Sequence, residues 1–410
     1  MPETPPPLLP DVGLLGLPYH QFGVRWMTPH HVLTRLARYF HVVWLEPAHH
    51  WRDVGKLRAR RRELATLASA CPANFDLYSP EAWLPDLHRP APLRRALATA
   101  RVRRAWSRLD RRGCTTRVLH LWHHQFEPAL DVRPYDVSLY HIDDEYSFTA
   151  EPGPMDPAER RVIEAVDNVF AISPALMERK GGLNPHMTFA PEGVDFRLYA
   201  TPAGEPADIA PIPHPRIGYT GMLKGQLDWP LLRQLAQRHP QWSFVIVGPN
   251  NTTGDARTIT EEMSRLPNVH FLGPKSVWDL AAYPQHFEVC LMPYAITGYT
   301  NNIYPLKLHE YLASGSPIVA SPIRSLLDFG HVMALPTTVD EWSGALERAL
   351  RPEARSRRAI AQRQDTARQY DWGEIIHRIA ETICERLGPT FSERLAQAVA
   401  TGARPVGSSA

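Results

Sequence analysis

Cysteine is scarce in this chain. Only Cys71, Cys114, Cys290 and Cys384 occur in 410 residues, too far apart for a zinc knuckle or a redox pair. Such thin use fits a reducing compartment, so a cytoplasmic location is expected. No apolar run reaches about 18 residues, so no membrane-spanning helix is expected. The opening MPETPPPLLPDVGLLGLPYH has no basic residues ahead of its apolar stretch and makes a poor signal peptide. Surplus charge is missing as well. The 45 Lys and Arg against 43 Asp and Glu leave +2, without the basic excess of a dedicated nucleic-acid binder, so no nucleic-acid partner is expected. The 24 glycines are outnumbered by 40 prolines, which are dispersed rather than periodic, and this excludes a collagen-like rod. What is present, 44% hydrophobic and 21% charged residues, is the balance of a globular protein, with length enough for two or three domains.

Short apolar runs alternate with helical stretches along the first half. Residues 11–17 read as a buried strand ending in a glycine-containing loop, and residues 28–39 as a helix with Thr28 as N-cap and Pro29 at its first position. Further strands read at 41–45, 118–122, 137–141 and 168–172. The Pro- and Ala-rich stretch YATPAGEPADIAPIPHP, 199–215, reads as a linker. Alternation then restarts with strands at 216–219, 243–247, 269–272, 289–293 and 318–321, and helices at 231–238 and 306–313 among them. The implied fold class is α/β, two doubly wound Rossmann-like parallel-sheet domains facing each other across a cleft. Its divisions are residues 1–198, a linker at 199–215, a second domain at 216–370, a helix at 371–388 crossing back, and a flexible tail at 389–410.

Between Arg89 and Arg117 lie Arg94, Arg95, Arg101, Arg103, Arg104, Arg108, Arg111 and Arg112, opposed within the segment only by Asp110. This reads either as a basic helix docking on an anionic membrane surface or as a solvated arginine-rich face.

The stretch from Pro293 to Ser321 carries the clearest chemical signal. A polar loop with Gly298, Asn301 and Asn302 leads into a helix that opens near Pro305, carries Lys307 and Glu310, and stops at Gly315. A loop entering a helix N-terminus is an anion site, because free N–H groups and the helix dipole both favour phosphate. Lys307 adds positive charge there. Glu310, one turn on, has a carboxylate suited to two ribose hydroxyls. Ordinary capping with a surface lysine is the competing reading.

At this point the chain resembles a known family. PLKLHEYLASGSPIVAS, 305–321, is similar to the donor-binding segment of GT-B glycosyltransferases, especially glycosyltransferase family 4. In order and spacing, PEGVD at 191–195, RIGYTGMLKGQLDWPLL at 216–232, FVIVGP at 244–249, NVHFLGPKSVWDLAAY at 268–283 and YDWGEIIHRI at 370–379 resemble the same family. The likeness is strong over most of 170–387 and looser over 11–150. It implies a nucleotide-sugar donor held by the second domain and an acceptor held by the first. In that scheme Glu310 holds the ribose, and the loop bearing Gly221 and Lys224 faces the diphosphate. Asn301, Asn302 and Lys307 complete the donor site, and the base lies near Gly273 to Ser276. Basic groups and helix N–H donors offset the leaving charge, with no cofactor and no metal. One position departs from the pattern. The family shows two glutamates separated by seven residues, and the first slot holds Asn302, which supplies no carboxylate.

In the first half, LHLWHHQFEPAL puts His123 and His124 just after a strand, where open α/β sheets bind ligands. Either is a base or a hydrogen-bond donor to the transferred sugar, or else a polar structural residue. Asp143 and Asp144, at another strand end, orient the acceptor, act as a base (Asp144 foremost) or cap a helix. Gly13 and Gly16 are read as the first strand–helix turn on the acceptor side, where glycine lets a substrate approach the backbone. The sequence thus points to a sugar transferase acting on a glycan or lipid-linked acceptor, at the inner face of the cytoplasmic membrane if the basic segment docks. A GT-B nucleotide-sugar epimerase and a non-catalytic nucleotide-sugar or glycan-binding protein are the alternatives.

Overall fold

The computed structural model describes residues 5–401 except 24–25, 88–89, 133 and 147–152. The first sheet is built from β1 (Val12–Leu17), β2 (His41–Leu45), β3 (Phe75–Tyr78), β4 (Thr116–Leu121), β5 (Val137–Ile142), β6 (Asn168–Ala171) and β7 (Met187–Phe189). Its helices are α1 (Thr28–Leu36), α2 (Leu57–Ala68), α3 (Ala91–Asp110), α4 (Pro157–Ala165) and α5 (Pro174–Lys180). All seven strands run parallel in the order β3-β2-β1-β4-β5-β6-β7. After α6 (Phe196–Ala200) come β8 (Arg216–Thr220), α7 (Trp229–Arg238), β9 (Ser243–Val247), α8 (Gly254–Met263), β10 (Val269–Gly273), α9 (Val277–Leu280), β11 (Val289–Met292), α10 (Lys307–Ser314), β12 (Ile318–Ala320), α11 (Val339–Ala349) and α12 (Arg357–Arg368). These five strands form a second parallel sheet, β10-β9-β8-β11-β12. The strands are short runs buried on both faces, as a helix-covered parallel sheet requires.

Two last helices, α13 (Trp372–Leu387) and α14 (Pro389–Ala400), return to the first domain. Ile375, Ile376, Ile379 and Ile383 of α13 bury themselves with Val32, Leu36, Val118 and Leu139. The chain passes between domains at two adjacent points: Val194 N–H donates to the Tyr370 carbonyl (2.9 Å) and Trp372 N–H to the Val194 carbonyl (3.0 Å).

Residues 389–400 form a helix, not a flexible tail: Leu395 is buried, and Arg394 holds Asp11 in a two-pronged ion pair. Residues 402–410 lie outside the described residues. Gly13 and Gly16 stand inside β1 rather than in the turn after it. A methyl on Gly16 would lie 2.7 Å from Leu33 of α1, and one on Gly13 3.0 Å from Cys114, so these glycines admit neighbouring side chains, not a substrate. Thr28 does not cap α1. It is the first helical residue, and its hydroxyl donates to Glu192. The stretch read as a linker packs on the second domain, with Ile209 and Ile212 buried and Asp208 paired to Lys275.

The arginines of the basic segment, on α3 and just after it, are also less free than the sequence alone suggests. Arg104 pairs with Glu81, Arg108 with Asp76 and Arg117 with Asp110, while Arg101 donates to the Pro85 carbonyl (2.9 Å) and Arg112 to that of Ala73 (3.0 Å). Glu81 and Asp76, from outside the segment, supply what the local sequence lacked. Arg94, Arg95, Arg103 and Arg111 remain exposed, and Arg89 lies outside the described residues. Among the described residues no helix is long and apolar enough to cross a membrane.

Candidate functional site

The segments that follow β5 and β6 meet the segment that follows β11, through Tyr299–Asp144 and Ser173–Asn302, so C-terminal strand ends of both sheets meet between the domains, where open α/β sheets bind ligands. On the second domain the floor is α10. Its start has no side-chain cap, so first-turn N–H groups are left for an anion. The Tyr311 hydroxyl of α10 accepts from Thr220 N–H (2.7 Å), which holds the helix under the end of β8. Gly221, next in the chain, has φ +134° and lies directly on Lys307: an added methyl would sit 2.4 Å from Cε and 2.7 Å from Nζ. The ammonium stands 5.1 Å from the Tyr219 ring centre. Burial opposes its charge, but Tyr219, Tyr294 and the Glu310 carboxylate outweigh that and hold it above the ordinary lysine range. Glu310 is shifted up by burial against the pull of Lys307, with the Tyr199 hydroxyl beside it. Gly273 closes β10 at φ +68°, and its carbonyl accepts from Gly248 N–H (2.9 Å).

The loop ahead of α10 holds itself and touches the first domain. Asn302 is buried. Its side-chain amide donates to the Gly298 carbonyl (2.6 Å), so the donor half of its side chain is already used, and its backbone carbonyl accepts from Ser173 Oγ (2.6 Å). Asn301 Oδ1 accepts from Arg324 N–H (3.3 Å). Tyr299, which the sequence reading missed, donates its hydroxyl to Asp144 Oδ2 (3.1 Å) across the cleft. Lys224, on an exposed turn, also acts on Asp144.

The first domain presents Asp144, Asp143 and the histidine pair. Burial pushes Asp144 up to about 6, against hydrogen bonds from Glu145 N–H and Tyr299 and the charge of Lys224. At pH 7 most of it is carboxylate, poised for proton transfer. Asp143 is pushed by burial and by Asp144 up to about 7, though the Tyr146 hydroxyl donates to it (2.8 Å). His123 lies stacked between Tyr19 (4.6 Å between ring centres) and His124 (4.1 Å). Burial, with the neighbouring histidines, lowers it to about 4, so it is neutral at pH 7. Its Nδ1 accepts from Gln125 N–H (3.1 Å), which puts the proton on Nε2 and makes the ring a donor there. His124 Nε2 lies 3.7 Å from Asp156. Among the described residues no cluster of three or more His, Cys, Asp or Glu could hold a metal ion.

Asp144, Lys224, Lys307 and Glu310 are therefore drawn toward one cleft, while Gly13 and Gly16 stay in the strand. Tyr299, Tyr199 and Glu192 joined the site without a sequence signal, because each owes its place to partners more than 100 residues away.

Residues 214–351 match the family described as glycosyl transferases group 1. A curated relative from Bacillus subtilis (strain 168), named as the teichuronic acid biosynthesis glycosyltransferase TuaH, is 31% identical over 176 residues. That alignment covers 41% of this chain and 43% of the relative, so less than half of the relative is matched. Among solved structures, sucrose-phosphate synthase from Thermosynechococcus elongatus superposes with a TM-score of 0.65 at 16% identity, over 91% of this chain and 98% of that one. HepE of Anabaena in complex with UDP-glucose gives 0.62 at 16% identity, over 91% and 99%. The fold is GT-B.

Proposed function

We propose, from the premise that residues 214–351 form a group 1 glycosyl transferase domain, that this chain moves a sugar from a nucleoside diphosphate to a hydroxyl of a glycan or lipid-linked acceptor in polysaccharide or cell-envelope assembly. One observation carries the reading. An uncapped helix start, a lysine pressed on a glycine turn and a carboxylate one turn along stand together, and the loop ahead of that helix reaches Asp144 through Tyr299, which is the arrangement a nucleoside diphosphate facing a base would use. The named role of the Bacillus relative supports the envelope setting, and the UDP-glucose held by the Anabaena structure supports the donor class.

In this mechanism Glu310 accepts from the ribose hydroxyls, and the turn at Gly273 meets the base. The acceptor oxygen attacks the anomeric carbon while the bond from that carbon to the diphosphate oxygen breaks. The diphosphate takes the electron pair. Lys307, Lys224 and the N–H groups of α10 meet the growing negative charge, work done by preorganised donors without a cofactor. The Asp144 carboxylate receives the acceptor's hydroxyl proton. His123 donates from Nε2 to a hydroxyl of the bound sugar or acceptor.

Docking on an anionic membrane surface belongs to the same proposal. Leu93 (45% exposed) and Trp83 (60% exposed) accompany exposed Arg94, Arg95 and Arg103 on and beside α3. Co-sedimentation with phosphatidylglycerol vesicles is expected to fall when these three arginines are made glutamate.

Calorimetry of UDP, GDP, ADP and TDP on the wild type and Glu310→Ala tests the core of the reading. One nucleotide should bind, and the variant should lose about 1.5–3 kcal/mol, as for hydrogen bonds to a charged group. If no nucleotide binds, or the variant binds equally well, the proposal fails. Sugar released or isomerised without any acceptor would favour the epimerase.

A further inference from the structure

One buried carboxyl beside the cleft has no part in the scheme above. Glu192 follows β7 and is 3% exposed. Its Oε1 accepts from the Thr28 hydroxyl, while its Oε2 is buried with no hydrogen-bond partner among the described residues. Its backbone has little room to carry it elsewhere. Gly193 packs so tightly that a methyl there would lie 2.6 Å from the Trp372 ring, and Val194 is bonded on both sides to residues 370 and 372. Buried polar atoms in folded proteins nearly always have partners, and leaving one without costs about 1–3 kcal/mol. Such an atom marks a place kept for something that binds.

The surroundings say what kind of group that is. Asp143 and Asp144 from the first domain and Glu310 from the second all act on Glu192, so it stands near carboxyls of both domains, and its Oε2 is shut off from solvent. Burial and these three carboxyls push it up to about 8, and at neutral pH it is an acid bearing an O–H. A neutral carboxyl offers one donor and one acceptor together, the complement of a sugar hydroxyl. The diphosphate already has Lys224, Lys307 and the start of α10.

We infer that Glu192 is a substrate-binding residue whose Oε2 bonds a hydroxyl of the donor's sugar ring, and so helps decide which sugar is accepted. The crossing point at 194 and 371 lies two residues on, so opening the cleft about that joint admits the sugar to Oε2. This inference rests on the sugar-transferase reading, and its test separates the two.

Calorimetry with UDP and UDP-glucose, and with the GDP, ADP and TDP pairs alongside, is run on full-length wild type, Glu192→Gln, Glu192→Leu and Thr28→Val. The readout is the affinity for the nucleotide sugar relative to the bare nucleotide. Glu192→Leu should lower that ratio roughly 3- to 10-fold, the value of one hydrogen bond, with the bare nucleotide bound as before. Glu192→Gln, which keeps a donor and an acceptor, and Thr28→Val, which removes only the structural bond, should stay within about twofold of the wild-type ratio. If Glu192→Leu does not fold, Glu192→Asp replaces it: a side chain one methylene shorter should lower the ratio where Gln does not. An unchanged ratio in the Leu or Asp variant overturns the inference, as does an equal loss for both ligands. Failure of the wild type to bind any nucleotide overturns the transferase reading itself, before any variant is compared.

Discussion

The ammonium of Lys307 lies against the α-carbon of Gly221, so close that a methyl on that carbon would come within 2.7 Å of Nζ. Gly221→Ala must therefore push Lys307 aside, and it also asks a residue with a Cβ to adopt φ +134°. Nucleotide affinity is expected to fall about tenfold, the size of one charge-assisted hydrogen bond. On a Lys307→Met background the same change should cost less affinity, because the cation it displaces is already gone and only the strain at φ +134° remains. Calorimetry on the four proteins of this cycle measures the coupling.

Asp144 sets an acidic limb on the rate. A base that titrates near 6 gives a kcat/KM that climbs as pH rises through that value and levels above 7. Tyr299→Phe removes a bond that favours the carboxylate, so the limb should move to higher pH. Asp144→Asn should lose about 10²-fold or more, the contribution of a positioned base, and show no limb at all. A pH profile of initial rates on these proteins decides.

Stability should also respond to this acidic pocket. Asp143 ionises near 3.8 when unfolded and about 7 when folded, so the native state binds the extra proton between those values. Raising the pH through that window therefore removes stability, and the loss is complete above it. Asp143→Asn, which never ionises, should melt higher than wild type at pH 8, and the gap should close near pH 4. Thermal melts at the two pH values check the sign.

The C-terminal helix gives a test that separates packing from charge. Leu395→Ala should cost about 2–4 kcal/mol, as for a buried leucine. Arg394→Ala breaks a partly exposed ion pair with Asp11 and should cost under about 1 kcal/mol. Urea melts of both variants would show whether residues 389–400 contribute as a packed helix.

The strands were legible because a parallel sheet covered on both sides demands runs such as VSLYHI and SFVIV, which stand out from their surroundings. FDLY of β3 and MTF of β7 escaped, being short and only partly buried. The grouping of Lys307 with Glu310 was legible because it is local, one loop and one helix turn. Glu192 and Tyr299 were not, since a carboxyl in PEGVD looks like surface until Thr28 and the far domain close over it. The last helix was lost for a plainer reason. The small residues of ATGARPVGSSA masked Phe391, Leu395 and Val399, whose spacing of four is that of a buried helical stripe.

The return of α13 and α14 makes the second domain, topologically, an insertion within the first. During synthesis residues 216–368 can emerge and fold while the first domain still lacks the helices that cover Val32, Leu36, Val118 and Leu139. That half waits for α13 and α14 before its core is sealed. A fragment ending at residue 200 would leave this apolar face bare and aggregate, whereas the inserted half, with its own sheet and helices, is the part suited to expression alone. Since Asp11 and Arg394 sit side by side, labels placed next to these two residues would both report on the first domain.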